Sequence, residues 1–431
     1  MFQPARGTRD FLPREMLRRN WVLDRVRNVF EAYGYEPLGT PAFESLEMLK
    51  VKSGADVIDQ IYYFKDKSDR ELGLRFEWTA SLCRVVSSHR ELPVPFKRYA
   101  IGPVWRYESP SDKRFREFWQ ADVDVIGVGD PIADAEVLAV AVDCLRSIGF
   151  EGFIIRINDR RILGAFVELV GMPKERSLEI FRAVDKLNKI GHDGVMEELS
   201  RLGAEADASE RLLKMMELKG EPTSTLNEAR RILSGIPNGL AGCDALSTIS
   251  DYASSFGMQR YLLVDLSLAR GLDYYTGPVY EVLAEGFEDY GSIAGGGRYD
   301  EIIQLFGGEP TPATGVSLGI ERIVPLLEKK GAFDCLNLGT RVYVAAASES
   351  MRPRAIEVAQ MLRRVGIATD TDLMGRNLTR QLDYANRRSV KKVVIVGERE
   401  FKEKLVLVRD MDTAHQQTVK LDELTKLLSQ N

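Results

Sequence analysis

Arginine, glutamine and acidic side chains recur at two-residue spacing along one predicted hairpin, from Phe96 to Asp124. The segment is typical of a strand, a short loop at 109–113 and a return strand. Residues two apart on a strand share a face. An arginine fork suits a phosphate, and carboxylates suit an ammonium group or a metal ion. The hairpin is therefore either a pocket floor or the solvated face of an antiparallel sheet. The residues in this pattern are Arg106, Glu108, Gln120, Asp122 and Asp124.

A second segment, 268–277, combines glycines, an acid and an arginine with adjacent tyrosines. Its arginine is Arg270, and its tyrosines, Tyr274 and Tyr275, point to opposite faces if they lie on a strand. A buried tyrosine with an arginine nearby is also common in an ordinary hydrophobic core and at its edge. The spacing alone does not name a reaction.

A third segment is glycine-dense at 295–300 and continues through 314–322. Glycine allows a ligand to approach the backbone closely. Arg322 falls in the first turn of the predicted helix that follows, where a cation opposes the helix dipole. A bound phosphate would satisfy both the helix N-terminus and the arginine. The alternative is a solvent-exposed arginine without a partner.

These segments favour phosphate chemistry that relies on positioning and charge, because no nucleophile–base pair accompanies the arginines. The glycines form neither a P-loop, which needs a G-K-[ST] ending, nor a GxGxxG turn. The four cysteines are far apart and form no CxxC pair, which argues against a disulfide scaffold and a structural zinc site. No two of the three histidines are near in sequence, so no metal site is predicted.

Composition is that of an ordinary globular protein, with 431 residues, 44% hydrophobic and 29% charged. From Arg341 onward the chain has 17 Lys+Arg and 12 Asp+Glu, a net charge of +5. Because the net charge of the whole chain is −5, the remaining residues carry −10. A basic tail on an acidic body is compatible with RNA contact or with a solvated surface. No apolar run is long enough to span a bilayer, and no signal peptide is apparent. A cytoplasmic protein without membrane contact is expected.

The elements that must position these residues are readable from periodicity. A helix with Val22, Val26 and Phe30 at helical spacing ends at Gly34. β-type runs then alternate with turns up to about residue 157, which predicts an antiparallel sheet with flanking helices. Helical periodicity from 173 to 256 predicts an insertion. Beyond a linker at 330–340, alternating strands and helices predict a small α/β domain at 341–431.

Motifs 2 and 3 of class II aminoacyl-tRNA synthetases resemble the hairpin and the third segment, and motif 1 resembles the stretch from the first helix to Pro41. The most specific match is Arg270–Gly277, which is similar to the histidine motif of histidyl-tRNA synthetases. The resemblance implies a class II catalytic domain at 1–329 and an anticodon-binding domain at 341–431. It also implies a homodimer formed through the first helix and the strand ending near Pro41.

The resemblance implies histidine activation with ATP and Mg²⁺, followed by transfer to the 3′ end of tRNA(His). Arg106 and Arg270 would be catalytic, both of them near the α-phosphate. ATP would be bound by Arg106, Glu108, Arg114 and Arg322. Histidine would be bound by Glu77, Thr79, Gln120, Asp124, Arg270, Tyr274 and Tyr275.

Two departures bear on this assignment. Many bacterial members have Glu-Gly-Thr where this chain has Glu77-Trp78-Thr79, and Glu where it has Asp124, so the pattern is closer to the archaeal and eukaryotic type. Because Asp is shorter, its contact with imidazole is either direct or through water. Three alternatives are weighed: a regulatory paralogue that acts on ATP phosphoribosyltransferase, a class II synthetase for threonine, proline or glycine, and an RNA-binding module.

Overall fold

A computed structural model describes residues 2–51, 58–111, 114–269, 274–334, 336 and 339–429, apart from the side chains of Asn188 and Lys189. The chain divides into two compact units. One, here the catalytic unit, comprises Met1–Asp10 and Arg19–Ala332, and the other, the C-terminal unit, comprises Phe11–Arg18 and Phe333–Asn431. Each is described by itself. Within the described residues, no helix is long and apolar enough to cross a membrane.

Strands of the catalytic unit carry the pocket described below. They are β1 Glu36–Pro37, β2 Phe43–Ser45, β3 Tyr63–Lys65, β4 Glu71–Leu74, β5 Phe96–Trp105, β6 Glu117–Ile126, β7 Phe153–Asp159, β8 Lys219–Gly220, β9 Leu262–Asp265, β10 Pro278–Ala284, β11 Ala294–Arg298 and β12 Ala313–Gly319. Nine of them form one sheet in the order β1-β5-β6-β12-β11-β10-β7-β9-β8. Only β1–β5 and β7–β9 pair in parallel, so the predicted antiparallel sheet is confirmed.

Helices flank this sheet and fill the insertion. They are α1 Pro13–Ala32, α2 Leu46–Lys50, α3 Thr79–Ser88, α4 Ile132–Ser147, α5 Arg160–Leu169, α6 Ser177–Asp185, α7 Leu187–Arg201, α8 Ala206–Met216, α9 Pro222–Ile232, α10 Pro237–Ser255, α11 Ile302–Leu305 and α12 Ile320–Lys329. Helix α4 is the most apolar of the long ones, and eleven of its residues are buried. Because α4 packs against one face of the sheet, the polar side chains of β6 lie on the other face.

Hairpin β5–β6 lies toward the β1 edge of the sheet, and it follows directly from its sequence. Its ten-residue strands pair antiparallel from Phe96↔Ile126 to Trp105↔Glu117. The return strand starts and ends where the alternation predicts. The first strand stops at Trp105, one residue before Arg106, so Arg106 and Glu108 lie in the connecting loop rather than on a shared strand face.

The predicted insertion consists mainly of helices, α6 to α10. One element was not predicted: the two-residue strand β8, whose Gly220 pairs with Val264 of β9. A two-residue strand has no periodicity by which a sequence pattern could reveal it.

The C-terminal unit has the predicted α/β alternation. Its strands are β13 Val342–Ala346, β14 Thr369–Thr371, β15 Lys392–Val396, β16 Leu405–Asp410 and β17 Gln416–Lys420, and its helices are α13 Arg352–Arg364, α14 Leu378–Arg387, α15 Glu398–Lys402 and α16 Leu421–Ser429. The sheet order is β14-β13-β15-β16-β17. All five residues of β13 are buried, which is typical of a strand covered on both faces.

Candidate active site

One cavity in the catalytic unit gathers the predicted site residues. Its floor is the polar face of β6 with β11 and β12, and its rim includes the starts of α3 and α12. Ten predicted residues line it: Glu77, Thr79, Arg106, Glu108, Arg114, Gln120, Asp124, Tyr274, Tyr275 and Arg322. The eleventh, Arg270, lies outside the described residues, as does the rest of 270–273.

Carboxyl groups line one end of the cavity, here called the acidic end: Glu77, Asp122 and Asp124. Glu77 sits just before α3, where its Oε1 accepts a hydrogen bond from the backbone N–H of Ala80 at 3.1 Å. Its Oε2 accepts from the Tyr274 hydroxyl at 3.0 Å. Burial, and then the negative charge of Glu77, raises the pKa of Tyr274 well above its ordinary value. Tyr274 therefore stays a neutral hydrogen-bond donor.

Strand β6 places Gln120 and Asp122 on the cavity floor, where Asp122 is opposite Ser317 of β12 and Gln120 is opposite Gly319. Gln120 donates from Nε2 to Ser317 Oγ at 2.9 Å. Its Oε1, and Oδ1 of Asp122, have no hydrogen-bond partner among the described residues, although both atoms are buried. Burial raises the pKa of Asp122 to about 7, while Arg98 opposes the shift and Asp124 adds to it. The floor therefore presents two unsatisfied acceptors.

Asp124 is held differently, by two buried neighbours. Its Oδ2 lies 2.6 Å from Nη2 of Arg98, a close and buried ion pair. The Tyr299 hydroxyl donates to Oδ1. Arg98 is only 1% exposed, and it faces Asp124 directly across the β5–β6 ladder. The charge of Asp124 is thus compensated within the sheet.

Arginines line the other end of the cavity, here called the basic end: Arg106, Arg114 and Arg322. Arg106 donates from Nε to the Phe76 carbonyl at 3.3 Å and lies over the Phe76 ring, 4.4 Å from its centroid. Burial lowers the pKa of Arg106. Arg114 is 56% exposed and lies 3.8 Å from the Glu108 carboxylate. One arginine is thus fixed in the wall, and another remains at the opening.

Arg322 lies in the first turn of α12, as predicted. Its Nη1 donates to the Ser292 carbonyl at 2.5 Å. Burial lowers the pKa of Arg322, and the positive charges of Arg114 and Arg106 lower it further. Three like charges near a helix N-terminus are favourable when an anion binds between them.

A neighbouring carboxylate, Glu321, fixes the start of α12. It accepts from Arg9 at 2.9 Å, from the buried Arg19, and from the Trp119 backbone N–H at 3.3 Å. Glu321 is the residue before Arg322, so this cluster sets where the Arg322 side chain begins. The sequence gives no local signal for it, because its members lie about 200 to 310 residues apart.

Glycines at two floor positions are required by close packing. A Cβ at Gly296 would overlap the backbone of Gly315 on the adjacent strand, in particular its carbonyl oxygen. A Cβ at Gly315 would overlap the Asp124 carboxylate. The glycine-dense pattern therefore serves strand packing around Asp124 as well as access to the cavity.

The two adjacent tyrosines precede β10 and are not on a strand. Their ring centroids are 4.8 Å apart, so the rings contact each other instead of pointing to opposite faces. The cavity also includes residues that the sequence did not single out. Ser317 and Tyr299 line it, and Arg98 supports it from behind. Their strand positions are predictable, but their partners on other strands are not.

The arrangement can hold two oppositely charged ligand groups next to each other. A cation with N–H donors fits the acidic end, and an anion of several charges fits the basic end. No described side chain pairs a nucleophile with a base there. An antiparallel sheet with this kind of pocket, a motif 2 hairpin and a motif 3 helix defines a class II aminoacyl-tRNA synthetase.

Family models agree with this class and narrow it. The histidyl-tRNA synthetase model matches residues 7–323, and the anticodon-binding domain model matches residues 341–431. The chain belongs to the histidyl-tRNA synthetase family.

Similar proteins span nearly the whole chain. The histidine–tRNA ligase of Pyrococcus furiosus is 38% identical over 431 residues, 99% of each chain, and that of Aeropyrum pernix is 42% identical over 403 residues, 92% and 91%. A histidyl-tRNA synthetase structure from a Nostoc species has a TM-score of 0.88 at 29% identity and covers 100% of this chain and 99% of its own. A Bacillus halodurans structure, titled as an ATP phosphoribosyltransferase regulatory subunit/histidyl-tRNA synthetase, has a TM-score of 0.77 at 26% identity, with 92% and 98% covered.

Proposed function

We propose that this chain is a histidine–tRNA ligase. It activates histidine with ATP to histidyl-adenylate and pyrophosphate, and then transfers histidine to the 3′ end of tRNA(His). The observation that supports this most is the single cavity whose acidic and basic ends lie side by side in a chain of this family. Histidine is a zwitterion with a ring N–H, and ATP is a polyanion, so each fits one end.

ATP belongs at the basic end. Arg106 holds the α-phosphate, Glu108 and Arg114 seat the adenine and the outer phosphates, and Arg322 holds the γ-phosphate. The histidine carboxylate attacks the α-phosphorus in line, and pyrophosphate leaves. Because two anions must approach each other, the protein's contribution is to orient them and to neutralise their repulsion.

Histidine belongs at the acidic end, with its carboxylate toward the basic end. Glu77, Thr79 and Gln120 bind the α-amino group, and the unsatisfied Oε1 of Gln120 supports this role. Asp124 and Tyr274 belong to the subsite that reads the imidazole, which Tyr275 lines. Arg270 bridges the carboxylate and the α-phosphate as charge develops, so it is catalytic together with Arg106.

Mg²⁺ would enter with ATP. Among the described residues no group of three or more metal-type ligands exists. Magnesium is commonly bound through one or two carboxylates together with substrate phosphates. Glu108 would be such a carboxylate, because it lies among the arginines of the basic end, 3.8 Å from Arg114, where the phosphates are placed. The ion would screen the charge of the phosphates that these residues orient.

The partners follow from the same function. The catalytic domain is 1–329 with its insertion at 173–256, a linker spans 330–340, and residues 341–431 read the anticodon of tRNA(His). A homodimer forms through the first helix and the strand ending near Pro41. Exposed aromatic side chains at Phe43 and Tyr63, in the small sheet that follows, supply apolar surface nearby. The protein works in the cytoplasm, where charged tRNA is used.

Amino-acid-dependent exchange of label between pyrophosphate and ATP tests the proposal. The purified chain is assayed with each of the twenty amino acids at equal concentration. Histidine should give rapid exchange and the others background rates, because unpaired polar groups in the pocket penalise any side chain that lacks the ring N–H. Exchange no faster with histidine than with the others would exclude the ligase and favour the regulatory alternative.

A further inference from the structure

The N-terminal segment, defined here as residues 5–9, contacts the loop that connects β5 to β6 at the point where β6 begins. The Gly7 carbonyl accepts from the Arg116 backbone N–H at 2.8 Å, and the Arg6 carbonyl accepts from the Arg116 guanidinium at 3.4 Å. Gly7 has a φ of +85°, and a Cβ there would lie 2.7 Å from Cδ of Arg116. The close contact with Arg116 therefore requires glycine at this position.

Arg116 connects the N-terminal segment to two residues of the cavity. Its Nε donates to the Glu108 carbonyl at 3.0 Å, and its own carbonyl accepts from the Arg106 backbone N–H at 2.9 Å. Its guanidinium also lies over the Tyr107 ring, 4.1 Å from the centroid. Because Arg106 and Glu108 line the basic end, the segment supports that end without being part of it.

Arg9 makes a second connection, between the loop and the start of α12. Its guanidinium lies 4.2 Å from the centroid of the Phe115 ring. Its Nη2 donates to Oε2 of Glu321 at 2.9 Å. Phe115 and Glu321 both line the cavity, and each is next in sequence to an arginine of the basic end, Arg114 and Arg322. One side chain thus contacts both walls of the basic end.

Like charges face each other across the basic end. The loop carries Arg106 and Arg114, and α12 carries Arg322. Burial lowers the pKa of Arg322, and the charges of Arg114 and Arg106 lower it further. Repulsion among the three arginines favours separation of the loop from α12 until an anion binds. Arg9 opposes this separation, because it contacts a ring of the loop and a carboxylate of α12 together.

We infer that Arg9 is a positioning residue for ATP. With the N-terminal segment it fixes the loop relative to the start of α12, and so sets the spacing of the arginines that hold the phosphates. Arg9 acts through Phe115 and Glu321 and not by contact with the reacting atoms. This inference rests on the proposed function, which places ATP at the basic end, and it adds a residue outside the cavity to the residues on which ATP binding depends.

Kinetics with each substrate varied in turn provide the test. Pyrophosphate exchange is measured for the unaltered chain and for Arg9→Met, which keeps a long side chain and removes its charge. We expect KM for ATP to rise about fivefold to tenfold, a size consistent with the loss of a cation–π contact and an ion pair. KM for histidine should stay within about twofold. Arg9→Lys keeps the charge and should return KM for ATP to within about threefold of the unaltered value.

Two further measurements separate positioning from a merely structural role. The melting temperature of Arg9→Met should stay within about two degrees of the unaltered value, because Arg9 is 37% exposed and an exposed ion pair contributes little to stability. The matched control is Arg14→Met, an exposed arginine in the first turn of α1, which should change neither KM value.

A double-mutant cycle tests the route of the effect. If Arg9 acts through Phe115, Arg9→Met should raise KM for ATP by a smaller factor in a Phe115→Leu background than in the unaltered chain. Equal factors in the two backgrounds would mean that Arg9 does not act through Phe115, and would overturn the inference.

The remaining outcomes are also decisive. An unchanged KM for ATP in Arg9→Met, or equal rises in both KM values, would overturn the inference. If Arg9→Met does not fold, Gly7→Val displaces the same segment from Arg116 and should again raise KM for ATP alone; an unchanged value would overturn the inference. Absence of histidine-dependent exchange in the unaltered chain would overturn the proposed function as well, whereas normal exchange with an unchanged KM for ATP in Arg9→Met overturns this inference alone.

Discussion

The two ends of the cavity have opposite charges, yet at each end the surroundings disfavour the charged form of its own side chains. At the acidic end burial raises the pKa of Asp122 to about 7. At the basic end burial lowers the pKa of Arg322, and neighbouring arginines lower it further. Glu77 and Asp122 favour the charged form of Arg106 across the cavity, but burial outweighs them and the pKa of Arg106 is still lowered. A site of this kind is best stabilised by ligands that bring the missing charges, which is why a zwitterion and a polyphosphate bound together fit it.

The ends also differ in how their charges are supported. At the acidic end Asp124 is paired with a buried arginine on the next strand. Asp122 has no such ion pair among the described residues, and only Ser317 and the charge of Arg98 oppose the rise of its pKa. At the basic end Arg114 is mostly exposed and Arg106 is fixed against Phe76. Rigid discrimination is therefore expected at the acidic end and more adaptable binding at the opening.

Removal of one arginine should weaken ligand binding at the basic end alone. We expect Arg322→Ala to raise KM for ATP by about 10- to 100-fold, the size of a lost charge-assisted hydrogen bond, and to leave KM for histidine within threefold. The measurement is pyrophosphate exchange with each substrate varied in turn. Lys329→Ala, at the other end of the same helix, is the matched control and should change neither. An equal rise in both KM values for Arg322→Ala would show that the ends are not separate.

A smaller effect should appear in stability, and its sign depends on pH. Because the folded pKa of Asp122 is raised above 3.8, this carboxyl destabilises the ligand-free fold progressively as pH rises from about 4 to 7, and fully above 7. Asp122→Asn removes that cost. Its melting temperature should exceed that of the unaltered chain by several degrees at pH 8 and approach it at lower pH, as the wild-type carboxyl becomes protonated.

The matched control for this melting experiment is Asp134→Asn, which removes the closer of the two carboxylates paired with the buried Arg298, the other being Asp300. It should lower the melting temperature at pH 8, since it weakens the compensation of a buried charge. A lower melting temperature for Asp122→Asn at pH 8 would mean that Asp122 stabilises the empty fold and is not held open for a ligand.

Local pattern predicted much of this molecule. Alternation predicts strands at 117–126 and 392–396, and helical spacing predicts a last helix from Leu421; these are β6, β15 and α16 of the structure. These signals are strong because one face of each element is buried, so the periodicity of the side chains reports the fold directly. Short elements such as β8 carry no such signal.

Long-range partners could not be predicted in the same way. Arg98 lies in a strand whose other charged residue is Lys97, and only the register with β6 shows that Arg98 faces Asp124. Arg106 seemed to share a strand face with Glu108, but β5 ends at Trp105 because the chain turns there. The spacing of Gln120, Asp122 and Asp124 predicted a common face, and only their partners show which carboxyl is in an ion pair.

A structure of the protein with histidine and a non-hydrolysable ATP analogue would test the central claim most directly. The account predicts the ammonium group at Glu77 and Gln120, the imidazole in the subsite of Asp124 and Tyr274, and the triphosphate between Arg106, Arg114 and Arg322. An imidazole directed away from β6, or a triphosphate outside the three arginines, would contradict it.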